Sequence, residues 1–227
     1  DVYKRQVSPE EQALENAKNR TESFFENNSK TVIVALIAIF VLAVAIFGYR
    51  KLIVEPRMEK AQEMLYGAQY RFEEQNPDYA LALNGDQSAP GFAEVVETYG
   101  GTPAGNLARY YAAACCMHLG DMAQAEQYIA KFKHVKGEPG AIINAMAEGL
   151  KGDIAVDNGD YAKAAALFEK AVKVSDNVFT APMYLRKAAL AYKAAGDEAK
   201  ANACFETIRT KYPSSIDARD AEKYLAQ

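Results

Sequence analysis

The clearest feature of the hydrophobic pattern is one uninterrupted apolar stretch, Thr31 to Tyr49. It has 19 residues and no charge. At about 1.5 Å per residue a helix of this length spans roughly 28 Å, close to the hydrocarbon thickness of a bilayer. A buried helix of a soluble domain normally keeps one polar stripe, and this stretch has none. Arg50 and Lys51 follow at once, as expected at a membrane interface. The pattern therefore predicts a single transmembrane helix over residues 31–49.

A cleaved signal peptide is the main alternative to a membrane anchor. Such peptides have a short basic leader and an apolar stretch of about 7–15 residues. Here the leader, residues 1–30, is long and rich in glutamate, and no small-x-small site follows the apolar stretch. These features favour the anchor.

The polar segments before and after the apolar stretch predict water-exposed or amphipathic helices. In the leader, Ser8-Pro9-Glu10-Glu11 has the form of a helix start, and we expect this helix to end near Asn27-Asn28. The transmembrane helix should run to about Val54, with Pro56 marking a break or a fresh start. Residues 50–105 then form a linking segment, with an amphipathic helix over Arg57 to Gln75. The stretch Asn76 to Gly105 is the least regular, apart from a short helix over Phe92 to Tyr99.

Three Gly-Asp turns organise residues 106–227. Gly120, Gly159 and Gly196 are each followed by aspartate, at separations of 39 and then 37 positions. A fixed period of this size indicates stacked helical hairpins. Each turn precedes an alanine-rich amphipathic helix, in which alanine allows close helix approach and a larger apolar residue one turn later fills the space beyond. The predicted fold class is all-α, with one N-terminal transmembrane helix followed by an α-solenoid of stacked helical hairpins.

The hairpins resemble the tetratricopeptide repeat, a helical hairpin of about 34 residues. The last helix, Ile216 to Leu225, matches the polar-faced cap that such arrays need. An earlier helix with Gly67 and Tyr70 is a candidate for half of a degenerate unit. The matching positions are Gly120, Ala125 and Ile129 in the first unit, Gly152, Gly159, Tyr161, Ala164, Phe168 and Ala171 in the second, and Tyr192, Gly196, Ala201, Phe205 and Pro213 in the third.

A closer resemblance covers nearly the whole chain. The leader SFFENNSK running into the apolar helix, then YRK, FAEVVETYGGTPAGNLARYYAA and the repeats, is similar to a bacterial family of inner-membrane tetratricopeptide proteins in its Bacteroidetes-type versions. That family includes the ancillary subunit of the SecYEG translocon. The resemblance implies a single-pass inner-membrane protein with a periplasmic repeat domain, which joins the translocon to periplasmic chaperones or clients. It fixes the architecture better than the partner, since repeat scaffolds change partners.

Charge neither orients the chain nor points to nucleic acid. Three Lys or Arg residues precede the apolar stretch closely and four follow it, so the positive-inside rule decides nothing. The whole chain has 26 Lys and Arg against 30 Asp and Glu, a net charge of −4. A nucleic-acid-binding domain would usually show a basic surplus. We therefore expect the partners to be other proteins, and the bilayer through residues 31–49, with no nucleic acid and no small-molecule substrate.

The residues that could support catalysis or metal binding do not form a recognisable site. The three cysteines, Cys115, Cys116 and Cys204, are not a disulfide framework and are predicted to be small buried hydrophobes. Cys115 and His118 lie one helical turn apart, but no third metal ligand is visible. We expect no enzyme activity, no cofactor and no metal. A redox or metal function built on these residues is kept as a hypothesis that thiol titration would test, and free cysteines fit a periplasmic location poorly.

What remains is a protein-binding groove. In the family that the repeats resemble, the first helix of each hairpin lines a concave groove. Met117 and Met183 could equally pack between hairpins. An envelope-assembly or cell-division coordinator of the same architecture is the alternative function, although such coordinators normally have a cleavable signal and a coiled coil. The groove positions that the resemblance implies are Tyr110, Ala114, Met117, Asp153, Val156, Met183, Arg186 and Lys193.

Overall fold

The computed structural model describes residues 9–225, and in this range the chain is all-helical. The described residues contain no β-strand, only an isolated bridge between Gly85 and Pro90. The chain divides into two compact units, one ending at Pro56 and the other beginning at Arg57. The helices are α1 (Pro9–Tyr49), a π-helical segment (Arg50–Val54), α2 (Glu55–Phe72), α3 (Tyr79–Asn84), α4 (Phe92–Tyr99), α5 (Pro103–His118), α6 (Met122–Ala130), α7 (Glu138–Asp157), α8 (Tyr161–Val174), α9 (Ala181–Ala194), α10 (Glu198–Lys211) and α11 (Ile216–Leu225).

The first unit is a long helix that has a kink at Asn28 and continues into the π-helical segment. The predicted cap, Ser8, lies outside the described residues. Asn28 has non-helical angles (φ −117°, ψ 17°), and its side-chain amide donates to the carbonyl oxygen of Phe24 at 3.0 Å. The leader helix therefore meets a kink where we expected it to end, but the helix resumes beyond it. None of the residues of α1 is buried.

The second unit begins within α2, and this helix packs one apolar face into the core. Ala61, Leu65 and Ala68 are fully buried on that face. Tyr70 points the other way and is 66% exposed. The tyrosine that suggested half of a degenerate repeat therefore takes no part in core packing.

The stretch Asn76 to Gly105 is more helical than its turn residues suggested. The helix predicted over Phe92 to Tyr99 is α4, but α3 was missed. Asp78 caps α3 by accepting a hydrogen bond from the amide of Leu81 at 2.9 Å. Thr102 caps α5 in the same way through the amide of Gly105 at 3.1 Å. Helix α5 consequently starts at Pro103, three residues before the predicted repeat region.

The three Gly-Asp turns have nearly the same geometry. Gly120, Gly159 and Gly196 have φ of 79°, 75° and 81°, a left-handed conformation that glycine adopts without steric cost. In each turn the following aspartate caps the next helix by accepting an amide hydrogen bond at 2.9–3.1 Å. The predicted hairpins are thus α5–α6, α7–α8 and α9–α10, followed by α11.

Alanines and larger apolar residues alternate inside the hairpins as the pattern predicted. Ala125, Ala164 and Ala201 are fully buried. Phe168 and Phe205 lie buried one turn further along α8 and α10. At Gly152 of α7, an added Cβ would stand 2.6 Å from the Phe168 ring, so glycine is what allows α7 and α8 to pack at this distance.

Candidate protein-binding groove

The predicted groove residues lie on α5, α7 and α9, the first helices of the three hairpins. These helices come close to one another. The ring of Tyr184 on α9 lies against Gly149 of α7, where an added Cβ would stand 2.2 Å from the ring. Burial raises the pKa of the Tyr110 phenol on α5, and the charges of Tyr184, Tyr111 and Asp153 add to this effect. Tyr110 of α5 therefore lies near Tyr184 of α9 and Asp153 of α7.

Asp153 forms the central ion pair of this surface. Its two carboxylate oxygens each accept a hydrogen bond from Nζ of Lys187 on α9, at 2.8 Å. Both side chains are only partly exposed. The Lys187 ammonium also lies 5.6 Å from the centroid of the Phe168 ring, within the range of a cation–π interaction. The pair links the second hairpin to the third and leaves neither charge free.

Beside this ion pair is a cavity of about 220 Å³ with largely apolar walls. Val156, which the resemblance singled out, is exposed at its edge. Leu190 and Ala194 line it from α9, and Tyr161 lines it from the start of α8. An apolar cavity beside a neutralised ion pair can accept an aliphatic or aromatic side chain of a partner protein.

The other predicted groove residues lie in several different surroundings. Ala114 is buried in the core. Met117 and Met183 are partly buried and pack against the core. Arg186 donates to Asp217 of α11 at 2.6 Å, and the Lys193 ammonium lies 5.5 Å from the centroid of the Tyr224 ring. The structure therefore brings Tyr110, Asp153 and Val156 into one region, whereas Arg186 and Lys193 contact the C-terminal helix.

Sequence reasoning missed Lys187 and Leu190. Adjacent residues of a helix differ by about 100° in direction, so Arg186 faces α11 while Lys187 faces α7. The signal was present in the sequence, because positions 183, 187, 190 and 194 follow helical spacing along one face of α9.

A buried carboxylate on the groove helix α7 was also missed. The Glu148 side chain on α7 is 1% exposed and pairs with Lys151 at 3.1 Å, Lys170 at 3.2 Å and His134 at 3.0 Å. Burial alone would raise the pKa of this carboxyl, but hydrogen bonds and charge from these partners hold the pKa below its usual value. The cluster fixes the loop before α7 to both α7 and α8.

The cysteines are buried, as predicted. Burial raises the pKa of Cys115 to about 12 and those of Cys116 and Cys204 to about 11. His118 is exposed and stacks on Tyr79, with ring centroids 4.0 Å apart. Among the side chains that the structure describes, no three from His, Cys, Asp or Glu gather closely enough to hold a metal ion.

Comparison with known protein families agrees with this architecture. Residues 150–216, from α7 to the first residue of α11, match the family model described as "Tetratricopeptide repeat". No curated protein and no solved structure matches the chain significantly. The described residues form an all-α solenoid of stacked helical hairpins, and residues 150–216 of it are similar to the tetratricopeptide repeat. The tetratricopeptide repeat is a non-catalytic scaffold fold, and repeats of this kind generally bind other proteins.

The first unit has one helix that is long and apolar enough to cross a membrane. Its most apolar window has a mean hydropathy of 3.0, and none of that window is buried. Large side chains such as Phe40 and Phe47 are exposed along it.

Proposed function

We propose that this protein is a membrane-anchored adaptor that binds other proteins through the groove on α5, α7 and α9. The observation that carries the proposal is the presence of two complementary features in one chain. One is a repeat scaffold with a partly open apolar cavity beside the Asp153–Lys187 pair. The other is an apolar helix whose side chains are exposed over its whole length.

The exposed apolar helix supports the anchor. A soluble protein rarely exposes a large continuous apolar surface to water, and residues 31–49 present such a surface all around the helix. In a bilayer these side chains are solvated by lipid, and a helix satisfies its own backbone hydrogen bonds there. Anchoring would also raise the effective concentration of the repeats near other membrane proteins.

The cellular setting that we propose is the bacterial inner membrane, with the repeats in the periplasm. The resemblance of the leader, the apolar helix and the stretch before the repeats to the family of the translocon's ancillary subunit supports this setting. The partners would then be the SecYEG translocon and periplasmic chaperones or clients. The mixed surface of the groove, with an apolar cavity and no free charge beside it, fits a protein segment.

Site-specific photocrosslinking of the full chain in native membranes tests the groove. A photoreactive residue would replace Val156, which is exposed at the cavity edge, and a control would replace Gln127, which is exposed on α6. We expect discrete adducts from position 156 that are absent from position 127. Translocon subunits or chaperones among the adducts would support the export role, and peptidoglycan enzymes would favour the cell-division alternative. The same weak adducts from both positions would contradict a groove site.

A labelling experiment in intact cells tests the orientation. Lys223 is exposed in α11 and can be replaced by a reporter cysteine in a background without the three native cysteines. Labelling by a membrane-impermeant maleimide without lysis would place the repeats outside the cytoplasm. Labelling only after lysis would contradict a periplasmic location and leave the groove proposal to be tested with cytosolic partners.

A further inference from the structure

Three strongly exposed apolar side chains of the second unit lie in or beside two loops, one before α9 and one after α10. Val178 and Phe179, in the loop between α8 and α9, are 65% and 81% exposed, and Ile216, at the start of α11, is 77% exposed. Large apolar side chains placed together in water usually mark an interaction surface. These residues lie outside the groove described above.

A cavity of about 420 Å³ lies between these two loops, and we refer to it as the interloop slot. Val178 and Phe179 line it from one loop, Pro213 and Ile216 from the other, and Pro182 and Tyr212 also line it. Its volume falls within the range of roughly 300–1,000 Å³ that is typical of ligand pockets. The slot is therefore large enough to receive several side chains.

Hydrogen bonds hold the first loop in place. The side-chain oxygen of Asn177 accepts from the amides of Phe179 and Thr180, at 2.9 Å and 2.8 Å. Its side-chain nitrogen donates to the hydroxyl oxygen of Thr180 at 2.7 Å. Phe179 is thus presented on a loop tied down by its own hydrogen bonds, which lowers the entropy cost of binding a partner there.

The charges at the slot are already neutralised. Lys211 pairs with Asp176, which also accepts a hydrogen bond from the hydroxyl of Tyr212. Asp217 pairs with Arg186 at 2.6 Å. Burying a further charge here would cost free energy without a partner to offset it. The slot therefore favours an uncharged occupant.

We propose that the interloop slot binds an uncharged apolar segment of another polypeptide, independently of the groove. A cavity between two loops suits the side chains of a peptide better than the flat surface of a bilayer. Membrane docking would also gain from free basic residues, and Lys211 is paired. A dimer of two copies would usually bury roughly 800 Å² and about 20–30 residues on each partner, whereas ten residues line the slot.

Peptide binding by the full chain in detergent tests this proposal. The probe is a fluorescent peptide with a central Leu-Leu-Phe-Leu segment flanked by serine and glycine, and its anisotropy reports binding. We expect Phe179→Ser and Ile216→Ser each to weaken the affinity about tenfold, because each removes one large apolar contact. Both side chains are exposed, so neither change should disturb folding, which circular dichroism checks. Ile142→Ser, an exposed aliphatic change on α7, is the matched control.

Three results would overturn the proposal. One is equal peptide binding by the Phe179→Ser and Ile142→Ser proteins. Another is a wild-type dimer that Phe179→Ser converts to a monomer while the peptide fails to bind, which would make a second copy the occupant. The third is Phe179-dependent adsorption to phosphatidylcholine vesicles without peptide binding, which would make the bilayer the occupant. A failure of Val156 crosslinking would leave the slot proposal unaffected.

Discussion

A methyl group added at Gly152 would collide with a buried aromatic ring. The Cβ of alanine would stand 2.6 Å, 2.7 Å and 3.0 Å from three carbons of the Phe168 ring. Carbon atoms in good contact are about 3.5–4.0 Å apart, so the ring would have to retreat by about 1 Å. Phe168 is 1% exposed and stacks on Tyr184, with ring centroids 6.3 Å apart. The ring has little room to move.

The loss of stability expected for Gly152→Ala is best measured against the same substitution at a second glycine of the same unit. Gly67 lies inside α2, and an added Cβ would meet nothing within 4 Å. Gly67→Ala should therefore show only the gain in helix propensity, about 1 kcal/mol. Gly152→Ala makes the same gain but adds an overpacking cost of about 1–3 kcal/mol. The two variants should differ in free energy of unfolding by that cost, or by about 4–8 °C in Tm for a cost near 2 kcal/mol.

Thermal unfolding of the full-length variants in a mild detergent, followed by circular dichroism, measures this difference. The double variant Gly152→Ala/Phe168→Leu tests the cause, because a smaller side chain at position 168 should absorb part of the clash and give a favourable coupling energy. Equal increases in Tm for Gly152→Ala and Gly67→Ala would refute the packing of Gly152 against Phe168.

Further predictions concern the acidic residues and the thiols. Because the folded pKa of Glu148 lies below its ordinary value of 4.5, its carboxylate stabilises the fold above that value and the stabilisation is lost as the pH falls. Glu148→Gln should therefore flatten the acid side of the pH–stability curve measured by denaturant titration, and an unchanged curve would contradict the ion-pair cluster. Asp160→Ala removes a helix cap and should lower the stability by about 1 kcal/mol, whereas Asp157→Ala, exposed at the end of α7, should have little effect in the same assay. A thiol-reactive dye at about pH 8 should label none of the cysteines until denaturant is added, because burial keeps them protonated; rapid labelling of the folded protein would revive a redox function. These thiols are Cys115, Cys116 and Cys204.

The repeat architecture could be predicted because its signals are local. A left-handed glycine followed by a capping aspartate specifies a tight turn and a new helix within a few residues. The period of these turns then fixes the hairpins. Helix α3 and the first turn of α5 were missed. Asp78 and Thr102 are cap signals of the same kind, but the glycines and prolines around them indicated turns.

The groove could be predicted only in part because it depends on contacts between hairpins. The pairing of Asp153 with Lys187 requires the relative rotation of α7 and α9, which sequence spacing alone does not provide. The pairing of Arg186 with Asp217 depends in the same way on where α11 packs. The ion pairs of Glu148 were the hardest to predict from the sequence, because its partners lie on a loop, on its own helix and on α8.

The hairpin order has a consequence for biosynthesis. From α5 onward, each helix packs mainly against the helices next to it in the chain, so a hairpin can acquire most of its contacts as soon as its second helix has been synthesised. Chains with such local contacts fold quickly, and the repeats can therefore fold one after another as they emerge, without waiting for the C-terminus. The early hairpins would thus spend little time as an unfolded chain exposed to proteases or to aggregation.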